Sequence, residues 1–213
     1  MARKSSSRLK NTVMKVLTTA EIRWVNIEYV INRALTLNIN SLSYFAVAAA
    51  IAKDRIDCVV DSSLDVTQAF YDASSDELTA SNKDYGSENS TDYRLERALL
   101  VHEATHAVLD MYKGQSLPVI DEETIGYLAQ AIYSRATKAP AVGGPLGAAR
   151  RLITEKSKGV TGPELNSGCY RFRFNAKDAE LRELKGEVRA KYSGAVGSYV
   201  ANGIKGGLQG LLE

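Results

Sequence analysis

Both histidines of this 213-residue chain fall within one pentapeptide, His102-Glu103-Ala104-Thr105-His106. On a helix of about 3.6 residues per turn, positions i and i+4 lie one above the other, so the two imidazoles point the same way and Glu103 stands beside them. That spacing places two nitrogens on one metal ion. A catalytic zinc site takes three protein ligands and leaves a further position open, so two histidines are one ligand short. The chain has no third histidine, and its cysteines, Cys58 and Cys169, are isolated and distant in sequence, which leaves a carboxylate. Glu122 and Glu123, in the first turn of the next expected helix, are the candidates, although acidic residues also favour that helix end for its dipole. They stand about 100° apart around the axis and cannot both face the histidines equally. Glu123 is preferred because Gly126, at i+3, would let the second helix come close. Glu122 lies nearer the apolar stripe through Ile125 and Ala129, which argues for its burial, and it stays open as the ligand.

The elements that must position these groups can be read around them. Ser90 or Thr91 caps a long helix, with Asp92 and Glu96 near its positive end and Gly114 just beyond its other end. Leu95, Leu99, His102, His106 and Leu109 share one face, so the histidines look toward the core. Asp110 is either a carboxylate orienting an imidazole or an exposed helix-end residue. Residues 115–118 connect to the second helix, where Asp121 caps, Ile120 staples onto Ile125, and Ile125, Leu128, Ala129 and Ile132 form the stripe until the pattern fades near Lys138. Upstream, residues 56–60 read as a strand and residues 69–81 as a hairpin around Ala73-Ser74-Ser75-Asp76, followed by a loop at 83–89.

The remaining chain carries weaker signals. Residues 1–17 read as a basic flexible tail, 18–192 as one domain with its core motifs in 66–133, and 193–213 as a glycine-rich tail. A helix is expected from Thr18 to Leu35, with Trp24, Ile27, Ile31 and Leu35 as its buried stripe. A polar break at 38–43 precedes an alanine-rich helix over 44–53; residues 146–158 look helical, 159–168 look like loop, and Asn175 caps a charged helix through Lys191. Tyr170-Arg171-Phe172-Arg173-Phe174 alternates like an edge strand, and a net charge of +2 gives no electrostatic footprint for nucleic acid. Lys15, Thr18, Thr19 and Glu21 break the apolar run a secretory signal needs, and no transmembrane stretch appears. The expected location is the cytoplasm at synthesis, with export by a non-classical route left open.

The sequence His102-Glu103-Ala104-Thr105-His106 followed by Glu123-Thr124-Ile125-Gly126 resembles the gluzincin clan of zinc metallopeptidases, the likeness covering roughly residues 66–133. The resemblance implies that His102, His106 and Glu123 bind Zn2+ and that Glu103 is catalytic, activating water for hydrolysis of a peptide or protein substrate. It also implies an antiparallel edge strand before the active-site helix, which puts substrate against Leu78, Thr79 and Ala80. The implied fold is α+β and mainly helical: a zincin-like small antiparallel sheet, around residues 56–81 and joined by 170–174 or not, packed on the two site helices. Only 16 residues separate His106 from Glu123, which is compact for the clan. No histidine is left to stabilise an oxyanion, so Tyr127 and Tyr170 are the candidates. The alternatives are a zincin-like binding or structural module that does not cut, a protease effector or toxin of narrow range, and a metal-free helical protein.

Overall fold

The computed structural model describes residues 4–65, 67–81, 91–112, 116–193 and 198–200. The architecture is α+β, with seven α-helices and three small sheets among the described residues. The expected loop at 83–89, the cap at Ser90, Gly114 and most of the glycine-rich tail lie outside them.

The chain opens with a short strand β1 (Lys4–Ser5) and a helix α1 (Ser7–Leu17), where a flexible tail was expected. Ser6 caps α1, its hydroxyl accepting from Leu9 N at 3.2 Å, and Leu9, Val13, Val16 and Leu17 form a buried stripe at i, i+4, i+7 and i+8. That stripe, not the basic residues between its members, decides the structure.

The helix expected over 18–35 is absent. Only a short 3-10 turn, Ala20–Trp24, precedes strands β2 (Ile27–Asn32) and β3 (Leu35–Ile39). Ile27 and Tyr29 on β2, and Leu37 and Ile39 on β3, are fully buried at a period of two. The Asn32 side chain accepts from Ala34 N and Leu35 N and closes the turn between the strands.

Helix α2 (Ser41–Ala52) follows with a capping box from Asn40 and Ser43. The second sheet, in the order β1, β4 (Asp57–Val60), β6 (Glu77–Ala80) and β5 (Ala69–Asp72), is mixed where an antiparallel one was expected. The β5–β6 hairpin forms as expected, with Asp72 accepting from Ser74 N and Asp76 in the left-handed region at φ 54°. β6 also pairs in parallel with β4, so β6 is interior and β5 is the edge. Leu78, Thr79 and Ala80, expected to lie against substrate, are completely buried in that interior strand and offer no free edge.

Helix α3 (Thr91–Asp110) carries the histidines and packs between β5, α2, α1 and helix α4 (Val119–Ala136). Every residue from Val101 to Asp110 is buried, so this half of α3 runs through the core. α4 begins directly after strand β7 (Ser116–Pro118), which pairs antiparallel with a C-terminal strand β9, Ser198–Val200, from the expected tail. Helices α5 (Gly144–Lys156), α6 (Gly162–Asn166, inside the expected loop) and α7 (Arg182–Lys191) complete the shell. Strand β8, Phe172–Asn175, adds in parallel to β2 rather than to the sheet of residues 57–80, and turns Phe172 and Phe174 inward. Its outward Arg173, and Arg171 just before it, both pair with Glu28.

Asp121 does not cap α4. It accepts from Tyr29 Oη at 2.8 Å and pairs with Lys185, whose ammonium also donates to Ala176 O, so β2 and α7 are tied to the first turn of α4. Removing one partner strands the other beneath the surface. Asp121→Ala is expected to cost about 2–3 kcal/mol in urea unfolding, and the double replacement Asp121→Leu with Lys185→Met less than that.

Candidate metal centre

α3 presents His102 and His106 on one side, their ring centroids 4.9 Å apart. The face is held from behind: the Thr105 hydroxyl donates to Val101 O at 2.7 Å, and with that hydrogen committed it accepts from Tyr44 Oη of α2 at 2.8 Å. α4 crosses in front. Glu123 Oε2 lies 3.4 Å from His102 Nε2 and Glu123 Oε1 lies 3.8 Å from His106 Nε2. The close crossing depends on Gly126, where a Cβ would sit 2.8 Å from His102 Cε1 and Nε2.

The two glutamates take different positions. Glu123 faces both Nε2 atoms, while Glu122 Oε1 stands 2.6 Å from His106 Nδ1. Gln130 Oε1 does the equivalent for His102 Nδ1 at 3.2 Å. With each Nδ1 donating to an oxygen, Nε2 is the nitrogen of both rings left to face Glu123. Gln130 escaped sequence reading. Its signal is positional, because Glu123, Gly126, Tyr127 and Gln130 follow one helical stripe and Gln130 is polar within an otherwise apolar run.

These residues fit a metal ion. One ligand atom from each of His102, His106 and Glu123 can be chosen with all within 4.8 Å of one another. Ligand atoms about 2.0–2.1 Å from a tetrahedral zinc stand about 3.4 Å apart, so the Glu123 distances need little adjustment. Glu123 Oε2 is buried and has no hydrogen-bond partner among the described residues, which is an orphaned acceptor that a cation would satisfy. Two imidazoles and a carboxylate are donors zinc accepts.

Glu103 is buried at the edge of this cluster, and its Oε2 accepts from Tyr71 N of β5 at 3.0 Å. Burial raises its pKa above the usual carboxylate range, against the pull of the two imidazoles and of the Tyr71 N–H and with a push from Glu123. Burial alone would lower the His106 pKa, but the Glu122 carboxylate on Nδ1 and the charges of Glu122, Glu103 and Glu123 raise it to about 10. Burial would raise Glu123, yet the two imidazoles, with help from Tyr192, lower it to about 2.

Asp110 is fully buried, not an exposed helix end, and it accepts from Tyr71 Oη at 3.2 Å; the imidazoles are oriented by Glu122 and Gln130 instead. Tyr170 donates its hydroxyl to Lys156 O at 2.7 Å and takes no part in the cluster. Tyr127 packs edge-on against His102, centroids 4.5 Å apart. Tyr192, which sequence reading passed over, places its hydroxyl against the Glu123 carboxylate and 3.4 Å from Tyr127 Oη. No local pattern marks it, since it arrives from the end of α7.

The chain matches no protein-family model, no curated protein and no solved structure.

Gly126→Ala is expected to push His102 aside and weaken zinc binding by about 10–100-fold, read by competition with a chromophoric chelator, while the far-ultraviolet circular dichroism is retained. The protonation of His106 gives a second expectation. Its raised pKa makes a stabilising contribution that is whole below 6.5 and is lost as pH climbs toward 10, whereas that of Glu123 is whole above 4.5 and is lost as pH falls through about 2. Chelator-treated protein should therefore melt lower at about pH 8 than at about pH 6, and zinc, which displaces the His106 proton, should bind more tightly at the higher pH.

Proposed function

We propose that the chain is a zinc-dependent peptidase of the gluzincin type, with His102, His106 and Glu123 as metal ligands and Glu103 as the general base. The observation that carries this reading is the setting of Glu103. It borders the three ligands without being one of them, its pKa is raised by burial, and a backbone N–H of the edge strand fixes its carboxylate. A metal that only stapled two helices would need no such group.

Zinc, when bound, supplies a Lewis acid that acidifies water and polarises the scissile carbonyl. Glu103 accepts the proton of the attacking water and delivers it to the leaving amine, a double duty suited to a carboxyl whose pKa is raised by burial. The Tyr192 hydroxyl, beside Glu123, is the side-chain donor placed to hold the charge that develops on the carbonyl oxygen, the role for which sequence offered Tyr127 and Tyr170. β5 is an edge strand next to the site, so an extended peptide can add to it through main-chain hydrogen bonds.

Glu103→Gln should keep stoichiometric zinc by elemental analysis and lose about 10²–10⁴-fold in peptide hydrolysis. His102→Ala should lose both. A Glu103→Gln protein of undiminished activity would rule out the base, and a wild-type chain that binds zinc but cuts no peptide would favour the non-catalytic module.

A further inference from the structure

α7 ends over the face of α4 that carries Glu123 and, one turn on, Tyr127. Lys191, its last residue, donates from Nζ to Tyr127 Oη at 2.6 Å and lies 5.3 Å and 5.1 Å from the ring centroids of Tyr127 and Tyr192. A continuous polar line thus runs outward from Glu123 through the Tyr192 and Tyr127 hydroxyls to an exposed ammonium. No carboxylate pairs with Lys191 among the described residues, although Lys156 and Lys185 nearby in the fold each hold one. One Nζ hydrogen is committed to Tyr127, which leaves two for a group arriving from solvent.

The charges around the cluster give this cation a purpose. Glu103, Glu122 and Glu123 crowd the site with carboxylates, a field that repels an anionic substrate beyond what one divalent ion cancels locally. A helix-end lysine favoured only by the dipole would be free to point into water, whereas this one is folded back across two phenol rings.

We propose that Lys191, with the Tyr127 hydroxyl, forms a subsite for a substrate carboxylate beside the metal cluster, so that the preferred substrates are peptides carrying a negative charge near the scissile bond. The inference rests on the peptidase reading. The carboxylate is either the free C-terminus of the peptide or an acidic side chain, and the same lysine chemistry serves both.

Zinc-loaded Glu103→Gln protein allows binding to be measured by calorimetry without turnover. The probes are a hexa-alanine peptide blocked at both ends, the same peptide with a free C-terminal carboxylate, and the blocked peptide with one central glutamate. At least one anionic probe is expected to bind about fivefold more tightly than the neutral one, less so at high salt, and the probe that gains identifies the source of the carboxylate. Adding Lys191→Met, which keeps the aliphatic stem over the rings, should abolish the advantage with no change in Tm, and Lys191→Glu should transfer it to a peptide with a central lysine. Equal binding of neutral and anionic probes, or an advantage that survives Lys191→Met, overturns the subsite and leaves the peptidase reading standing. Failure of every probe to bind while zinc is retained overturns the peptidase reading, and the subsite with it.

Discussion

Two imidazoles and three carboxylates are packed into a helix crossing from which water is largely excluded, and that concentration of polar groups is the constraint the surrounding structure answers. Charged groups removed from water are costly unless each finds a partner. Here the partners are assigned: His106 Nδ1 donates to Glu122, His102 Nδ1 donates to Gln130, and Glu103 accepts from the Tyr71 N–H. What is left over, the Glu123 Oε2 atom without a hydrogen bond among the described residues, lies 3.4 Å from His102 Nε2. Among the described residues of the cluster, that oxygen is the acceptor a cation could satisfy.

The crossing itself depends on small, specific allowances. Gly126 removes the atom that would collide with His102, and Thr105 and Tyr44 lock the rear of α3 so that the histidine face does not rotate. Farther out, the Tyr29–Asp121–Lys185 group fixes the first turn of α4, one residue before Glu122 and two before Glu123. α1, α2 and β5 pack against α3, and α5 and α7 against α4. Order at His102, His106 and Glu123 is thus supplied in part by residues outside the cluster.

What could be read from the chain was what is local. The His102 to His106 spacing, the Glu123–Gly126 pair and the hairpin around Ala73 to Asp76 each fit within a few residues, and each is found where it was expected. The stretch from Trp24 to Leu35 was ambiguous for a physical reason: Trp24, Ile27, Ile31 and Leu35 satisfy helical spacing while Ile27 with Tyr29, and Leu37 with Ile39, satisfy a strand. The decision falls to Phe172 and Phe174, far along the chain, which pair with β2 in parallel. Strand order was hidden in the same way. Nothing within residues 69–81 says that β4 will lie beside β6, and it is that pairing which buries Leu78 to Ala80 and leaves β5 at the rim. Tyr192 and Gln130 join the centre through helix packing alone, for which single-sequence periodicity carries no signal.

The anchoring of Glu103 by an amide rather than by a side chain has an evolutionary corollary. Substitution at Tyr71 leaves that hydrogen bond in place for every residue except proline, so drift in amino-acid type along the rim is tolerated at this contact. Slippage is another matter: displacing the hairpin by a single residue turns alternate amides to the opposite side and withdraws the donor from the carboxylate. Insertions and deletions in the Ala73–Asp76 turn are consequently expected to disturb Glu103 more than replacement of the Tyr71 side chain does.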